Sequence, residues 1–139
     1  MTAKEFLKQY EYADKRVHRL EIELEEERLM IDAVRSLSDN DGLPHGNGIS
    51  KPTEDRAVKL ADKALELIDA RLEAIELRQK VFNVVDMVEG DPGEVLFERY
   101  IMLRPWEEVC LIIHRSWRQT HRLHAAGLVT VSDILQTMA

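Results

Sequence analysis

From Thr2 to about Leu37, and again from Thr53 to Val88, the chain contains no glycine or proline, and its apolar residues return in alternating steps of three and four. Steps of that size line up along one stripe of an α-helix, whereas a strand would need alternation. The first stripe is Tyr10, Ala13, Val17, Leu20, Leu24, Ile31 and Val34, interrupted by Glu27. The second is Val58, Ala61, Leu65, Ile68, Leu72, Ile75 and Phe82, with Gln79 as its polar break. Thr2 and Glu5 have the spacing of a capping box, which starts the first helix. Each helix should be on the order of 50 Å long at 1.5 Å per residue. Matched lengths favour an antiparallel, coiled-coil-like hairpin with its two seams face to face. Leu29, Met30, Leu60, Leu67 and Leu77 lie beside those seams and would stay exposed. A homodimer or higher oligomer is therefore expected, in its simplest form a four-helix bundle.

Residues 39–52, DNDGLPHGNGISKP, contain three glycines and two prolines. This composition predicts a mobile loop, and His45 within it has no second ligand type at metal spacing. Gly90-Asp91-Pro92-Gly93 is expected to stop the second helix. The division that follows is a helical hairpin over 1–89, serving oligomerisation, and a small helix-turn-helix over 94–139.

In the second part, Glu94 to Leu103 predicts a short supporting helix. Pro105 opens another, with Trp106 in its first turn and Glu107 and Glu108 favourably placed at its positive end. Val109, Ile112 and Ile113 form its expected buried face. A polar break follows at His114-Arg115-Ser116, and Ser116 is a good N-cap for the next helix. That helix would project Trp117, Arg118, Gln119 and Arg122 outward and turn Thr120, Leu123 and Gly127 to the core. The tail, 129–139, reads as a last short helix from Ser132, with Ile134, Leu135 and Met138 returning to the core.

Charge supports a nucleic-acid reading locally. The formal net charge is -7, which argues against indiscriminate binding to phosphate, yet Val109 to Gly127 holds Arg115, Arg118 and Arg122 and no carboxylate. His114, His121 and His124 would add charge there below about pH 6.5. Arginine makes paired hydrogen bonds to guanine and glutamine to adenine, while a capping serine beside free helix-start amides suits a phosphate. The expected contacts to double-stranded DNA are Arg115, Ser116, Trp117, Arg118, Gln119, His121 and Arg122.

Other classes find little support. The longest uninterrupted apolar run in this region, Val109 to Ile113, is too short to span a bilayer, and the N-terminus lacks the apolar stretch of a signal peptide. A single cysteine, Cys110, fits a reducing compartment and an inert, packed thiol. With no Gly-rich phosphate loop and no metal-ligand cluster, the expectation is a cytoplasmic, non-enzymatic protein without cofactor, metal or membrane partner.

The stretch Tyr100 to Leu128 resembles the helix-turn-helix of sigma-factor region 4. The wider pattern, TAKEFL, a Gly-rich gap, a second long helix and then RPWEEVCLIIHRSWRQTHRLHAAGL, is similar to small phage and prophage proteins related to the ArpU and RinA type regulators of late transcription. The resemblance covers nearly the whole chain. It implies that Trp106 and Val109 pack, that Ser116 caps, that Arg118, Gln119 and Arg122 meet DNA, and that the protein acts in a bacterial host, with RNA polymerase as a further partner. Pro105 stands where a capping Thr or Ser is usual, His114 where a turn Gly is common, Thr120 where an aliphatic residue is usual, and Gly127 in place of Ala. Gly127 is expected to weaken the reading helix or end it early. The competing function is a phage assembly or packaging adaptor whose hairpin oligomerises.

Overall fold

The computed structural model describes residues 1–39 and 51–139. The protein is all-α, and among the described residues there is no strand. Helix α1 is Ala3–Asp39, α2 is Lys51–Val85, α3 is Gly90–Leu96, α4 is Trp106–Ile113 and α5 is Trp117–Met138. The expected mobile loop, 39–52, lies outside the described residues over its positions 40–50, and His45 with it.

Two compact units divide the chain. One comprises Lys15–Leu72; the other joins Met1–Asp14 to Glu73–Ala139. The expected boundary between 89 and 94 is not where they separate. The C-terminal helices take the first turns of α1 and the last turns of α2 into a common core.

Within Lys15–Leu72 the two helices run antiparallel. Ion pairs join Arg56 to Glu27 at 3.7 Å, Lys63 to Glu23 at 3.5 Å and Arg71 to Glu21 at 3.0 Å, so positions advance along α2 as they retreat along α1. The α1 stripe behaves as expected: Val17, Leu20 and Ile31 are buried and Leu24 and Val34 half-buried. The α2 stripe does not. Val58, Leu65, Ile68 and Leu72 are exposed, at 52–62% of their surface. Leu67 and Ala70, expected outside the seam, are buried instead, with Leu60, Lys63 and Ala64 half-buried. Helix α2 carries two apolar patterns of the same period on different faces, and periodicity cannot say which one its neighbour covers. Glu27, an interruption in the α1 pattern, is half-buried beside Arg56.

The other unit starts at the expected capping box. The Thr2 amide donates to Glu5 Oε2 at 2.8 Å, and the Glu5 amide donates to Thr2 Oγ1 at 3.2 Å. The core beyond it gathers Ala3, Phe6 and Leu7 from α1, and Val81, Val84 and Val85 from α2. Val88, Leu96, Tyr100, Ile101 and Val131 complete it. Of the expected α2 stripe only Phe82 packs against it: Ile75 is exposed, while Ala74, Val81 and Val84 are buried.

Helix α2 ends at Val85, three residues before the expected stop, as Met87 and Val88 turn back to the carbonyls of Val84 and Val85 at 3.1 and 3.0 Å. The Gly-Asp-Pro-Gly run does not follow a helix end; it forms the first turn of α3. There the missing side chain of Gly93 is essential, because a Cβ would lie 2.0 Å from the Val88 carbonyl oxygen. Helix α3 continues into a π-helical turn, Phe97–Ile101, closed by Met102 N donating to Phe97 O at 3.0 Å. The wider turn places Tyr100 and Ile101 in the core.

Helix α5 is one continuous helix. The expected early stop at Gly127 and the separate helix from Ser132 are both replaced by Trp117–Met138. Gly127 is buried within it, Val131 is fully buried, and Ile134 and Leu135 pack against the core, while Met138 stays exposed. Burial of this face outweighs the weak helix propensity of a single glycine, about 1 kcal/mol.

Candidate nucleic-acid interface

Helix α4 enters on Pro105, whose φ of -64° suits a helix start, but no side chain caps it. The segment before it is fixed from outside. Arg99 Nη1 donates to the Arg104 carbonyl at 2.9 Å, and Arg104 Nε reaches Glu98 Oε2 at 2.8 Å. The Arg99 guanidinium also lies 5.1 Å from the Trp106 ring centre. Val109 is fully buried, Ile113 half-buried and Ile112 exposed, so the expected buried face is narrower than its three residues. An eight-residue helix at the surface buries only a narrow stripe.

The turn is set by His114, which takes the left-handed conformation, φ 56° and ψ 44°. A left-handed residue ends a helix by bringing the next amide back to an orphan carbonyl, and here Arg115 N donates to Cys110 O at 3.2 Å. Ser116 then opens α5 with a full capping box. The Gln119 amide donates to Ser116 Oγ at 3.2 Å, and the Ser116 amide donates to Gln119 Oε1 at 3.3 Å. A left-handed turn thus joins α4 to the capped start of α5.

On α5, Thr120, His124, Gly127 and Val131 face inward. Arg118, Gln119 and Arg122 are exposed at its N-terminal end, and among the described residues neither arginine is in an ion pair. Trp117 is 54% exposed. Arg115 is exposed as well, but its Nη2 is bound to Asp91 Oδ2 of α3 at 3.0 Å. Asp91, Arg115, Gln119, Arg122 and Leu123 line one shallow surface depression. Six of the seven expected contacts, Arg115, Ser116, Trp117, Arg118, Gln119 and Arg122, thus lie exposed at the N-terminal end of α5.

His121 is placed differently. Its ring is half-buried between two tryptophans, 4.4 Å from Trp106 and 4.5 Å from Trp117 by ring centres. Its Nε2 is buried and has no hydrogen-bond partner among the described residues. His124, expected to add positive charge, is buried and hydrogen-bonded to the Tyr100 hydroxyl through Nε2 at 2.7 Å. Burial, with the nearby charges of His121, Lys4 and Arg99, lowers its pKa to about 4, so it is neutral at pH 7. Burial likewise pushes the Tyr100 hydroxyl up to about 12. The expectation of three charged histidines below pH 6.5 therefore fails at His124, whose ring supports the helix from beneath.

Asp91 and Arg99 are residues that the motif alone does not single out. Asp91 stands in a run whose glycines and proline suggest only a break, and Arg99 acts through a backbone carbonyl and a ring that are near it only after the π-helical turn forms. No helix of the described residues is long and apolar enough to cross a membrane, and no group of three or more potential metal-ligating side chains occurs among them. No known protein family, curated protein or solved structure matches the chain.

Proposed function

We propose that the protein binds double-stranded DNA sequence-specifically as a transcriptional regulator, with the N-terminal half of α5 as the reading element in a major groove. The observation that carries this reading is the exposed Arg118-Gln119-Arg122 edge, free of carboxylates on its own helix turns and rigidly oriented by the Ser116 capping box. Each paired arginine or glutamine contact to a base discriminates by about 1–3 kcal/mol, and Gln119 reads a base by exchanging the Ser116 amide bound to its Oε1. Ser116 and the first amides of α5 suit a flanking phosphate. The resemblance to phage late-transcription regulators supports the same reading and suggests RNA polymerase as a protein partner.

The test is selection of bound fragments from phage or prophage DNA, followed by titration of the wild type and Arg118→Ala/Arg122→Ala at two salt concentrations. One enriched site, with affinity lost in the double variant, is the expected result. Binding that is equal for every sequence and unchanged by the substitutions defeats the assignment. The exposed apolar face of α2 favours a second reading, a non-enzymatic phage assembly or packaging adaptor, which predicts no enriched site from a folded protein.

A further inference from the structure

Helix α2 has an apolar face that no described residue covers. Val58, Leu65 and Leu72 are spaced by seven, Ala61 and Ile68 fall between them, and all five are exposed. The buried pattern on the same helix, Leu60, Lys63, Leu67 and Ala70, has the identical three-four spacing but starts two residues later. At 100° per residue that offset sets the exposed stripe on roughly the opposite side of α2 from the stripe packed on α1. A regular seven-residue apolar repeat is the pattern that lets one helix pack along another by knobs into holes over several turns. A stripe kept that regular and left open calls for a helix of matching repeat.

We propose that this stripe pairs with the same stripe of a second copy, α2 against α2 in parallel register, giving a homodimer. The two flanks select the orientation. One edge of the stripe holds Asp62 and Asp69, the other Ala57, Ala64 and Arg71, the last paired with Glu21 of α1. An antiparallel pair would set like flanks together, with Asp62 of one copy against Asp69 of the other. A parallel pair sets the acidic flank of one copy against the alanine-bearing flank of its mate, so Asp62 and Asp69 face Ala57 and Ala64 and no carboxylates are apposed. Val58, Leu65, Ile68 and Leu72 keep 52–62% of their surface exposed, and pairing two such stripes removes that apolar surface from water on both copies. The four-helix bundle expected from sequence used the seam that the structure assigns to α1; this dimer uses the opposite face. It stands independently of DNA binding.

The full-length protein is tested by sedimentation equilibrium at micromolar concentration, beside Leu65→Lys/Ile68→Lys. Both side chains are exposed within one copy, so helical circular dichroism should be unchanged. The expected result is a dimer for the wild type and a dissociation constant raised at least a hundredfold in the variant. Orientation is read by oxidation of Val58→Cys in a Cys110→Ser background: parallel register brings the two introduced thiols together and gives a covalent dimer. A monomeric wild type, a dimer unaffected by the lysines, or cross-linking only when Val58→Cys is mixed with Leu72→Cys would each overturn the proposal.

Discussion

A methyl group built on Gly127 would lie 2.9 Å from Leu96 Cδ1 and 3.1 Å from Leu96 Cγ, so the absence of a side chain at one position of α5 lets a fully buried leucine of α3 fill the space. Gly127→Ala sets two effects against each other. Helix propensity favours alanine by about 1 kcal/mol, whereas overpacking a filled core costs about 1–3 kcal/mol. Leu96 is fully buried and must shift to admit the methyl group, so the substitution should lower stability by about 1 kcal/mol in urea unfolding. Combined with Leu96→Ala the loss should be smaller than the sum of the single losses. A more stable Gly127→Ala protein would show that the α3–α5 contact is looser than these distances.

The left-handed conformation of His114 predicts the opposite sign for another glycine. An L-residue there carries a penalty of roughly 1–2 kcal/mol, partly offset by the greater unfolded-chain freedom of glycine. His114→Gly should therefore stabilise the protein by about 0.5–1 kcal/mol without altering the turn. Thermal unfolding checks it, and a lowered midpoint would mean that the imidazole makes contacts outweighing the strain.

His124 makes stability depend on pH. In the unfolded chain an ordinary histidine takes up its proton near pH 6.5; in the folded protein burial delays this to about pH 4. The unfolded state thus binds more protons between those values. The contribution of a neutral His124 is complete above pH 6.5, declines as pH falls, and is gone by about pH 4, a loss of about 3 kcal/mol. Urea midpoints of the wild type and His124→Gln measured from pH 7.5 to 5 should show a steeper decline for the wild type. Parallel curves would place the folded pKa near its ordinary value.

Arg115 is held by Asp91 rather than free. Because the pair is exposed, Asp91→Asn should change folding stability by less than about 1 kcal/mol. It should, however, release one cation beside Arg118 and Arg122. On the proposed DNA-binding reading, affinity rises severalfold at low salt, and the slope of log affinity against log salt steepens by about 0.9, the value of one added phosphate contact. An unchanged slope in Asp91→Asn would mean that Arg115 points away from the duplex.

Much of the local structure was legible in the residues themselves. The Thr2-Glu5 capping box, the α1 stripe, the Ser116 cap and the break at His114 depend on contacts within a few positions, so spacing and residue type determine them. The outward set of Arg118, Gln119 and Arg122 followed from helical period once the cap was located. What spacing could not show was the partner of each face. Helix α2 offers two equivalent apolar stripes, and only packing on α1 selected the one with Leu67 and Ala70, leaving Leu65 and Ile68 open. The burial of His124, the pairing of Arg115 with Asp91 and the continuity of α5 through Gly127 likewise depend on α3, distant in sequence from some of these groups, and on the π-helical turn that brings Tyr100 inward. A chain's own period decides which residues share a face; which face is covered is decided by the free energy of burying it against every other element, and that sum exists only in the folded molecule.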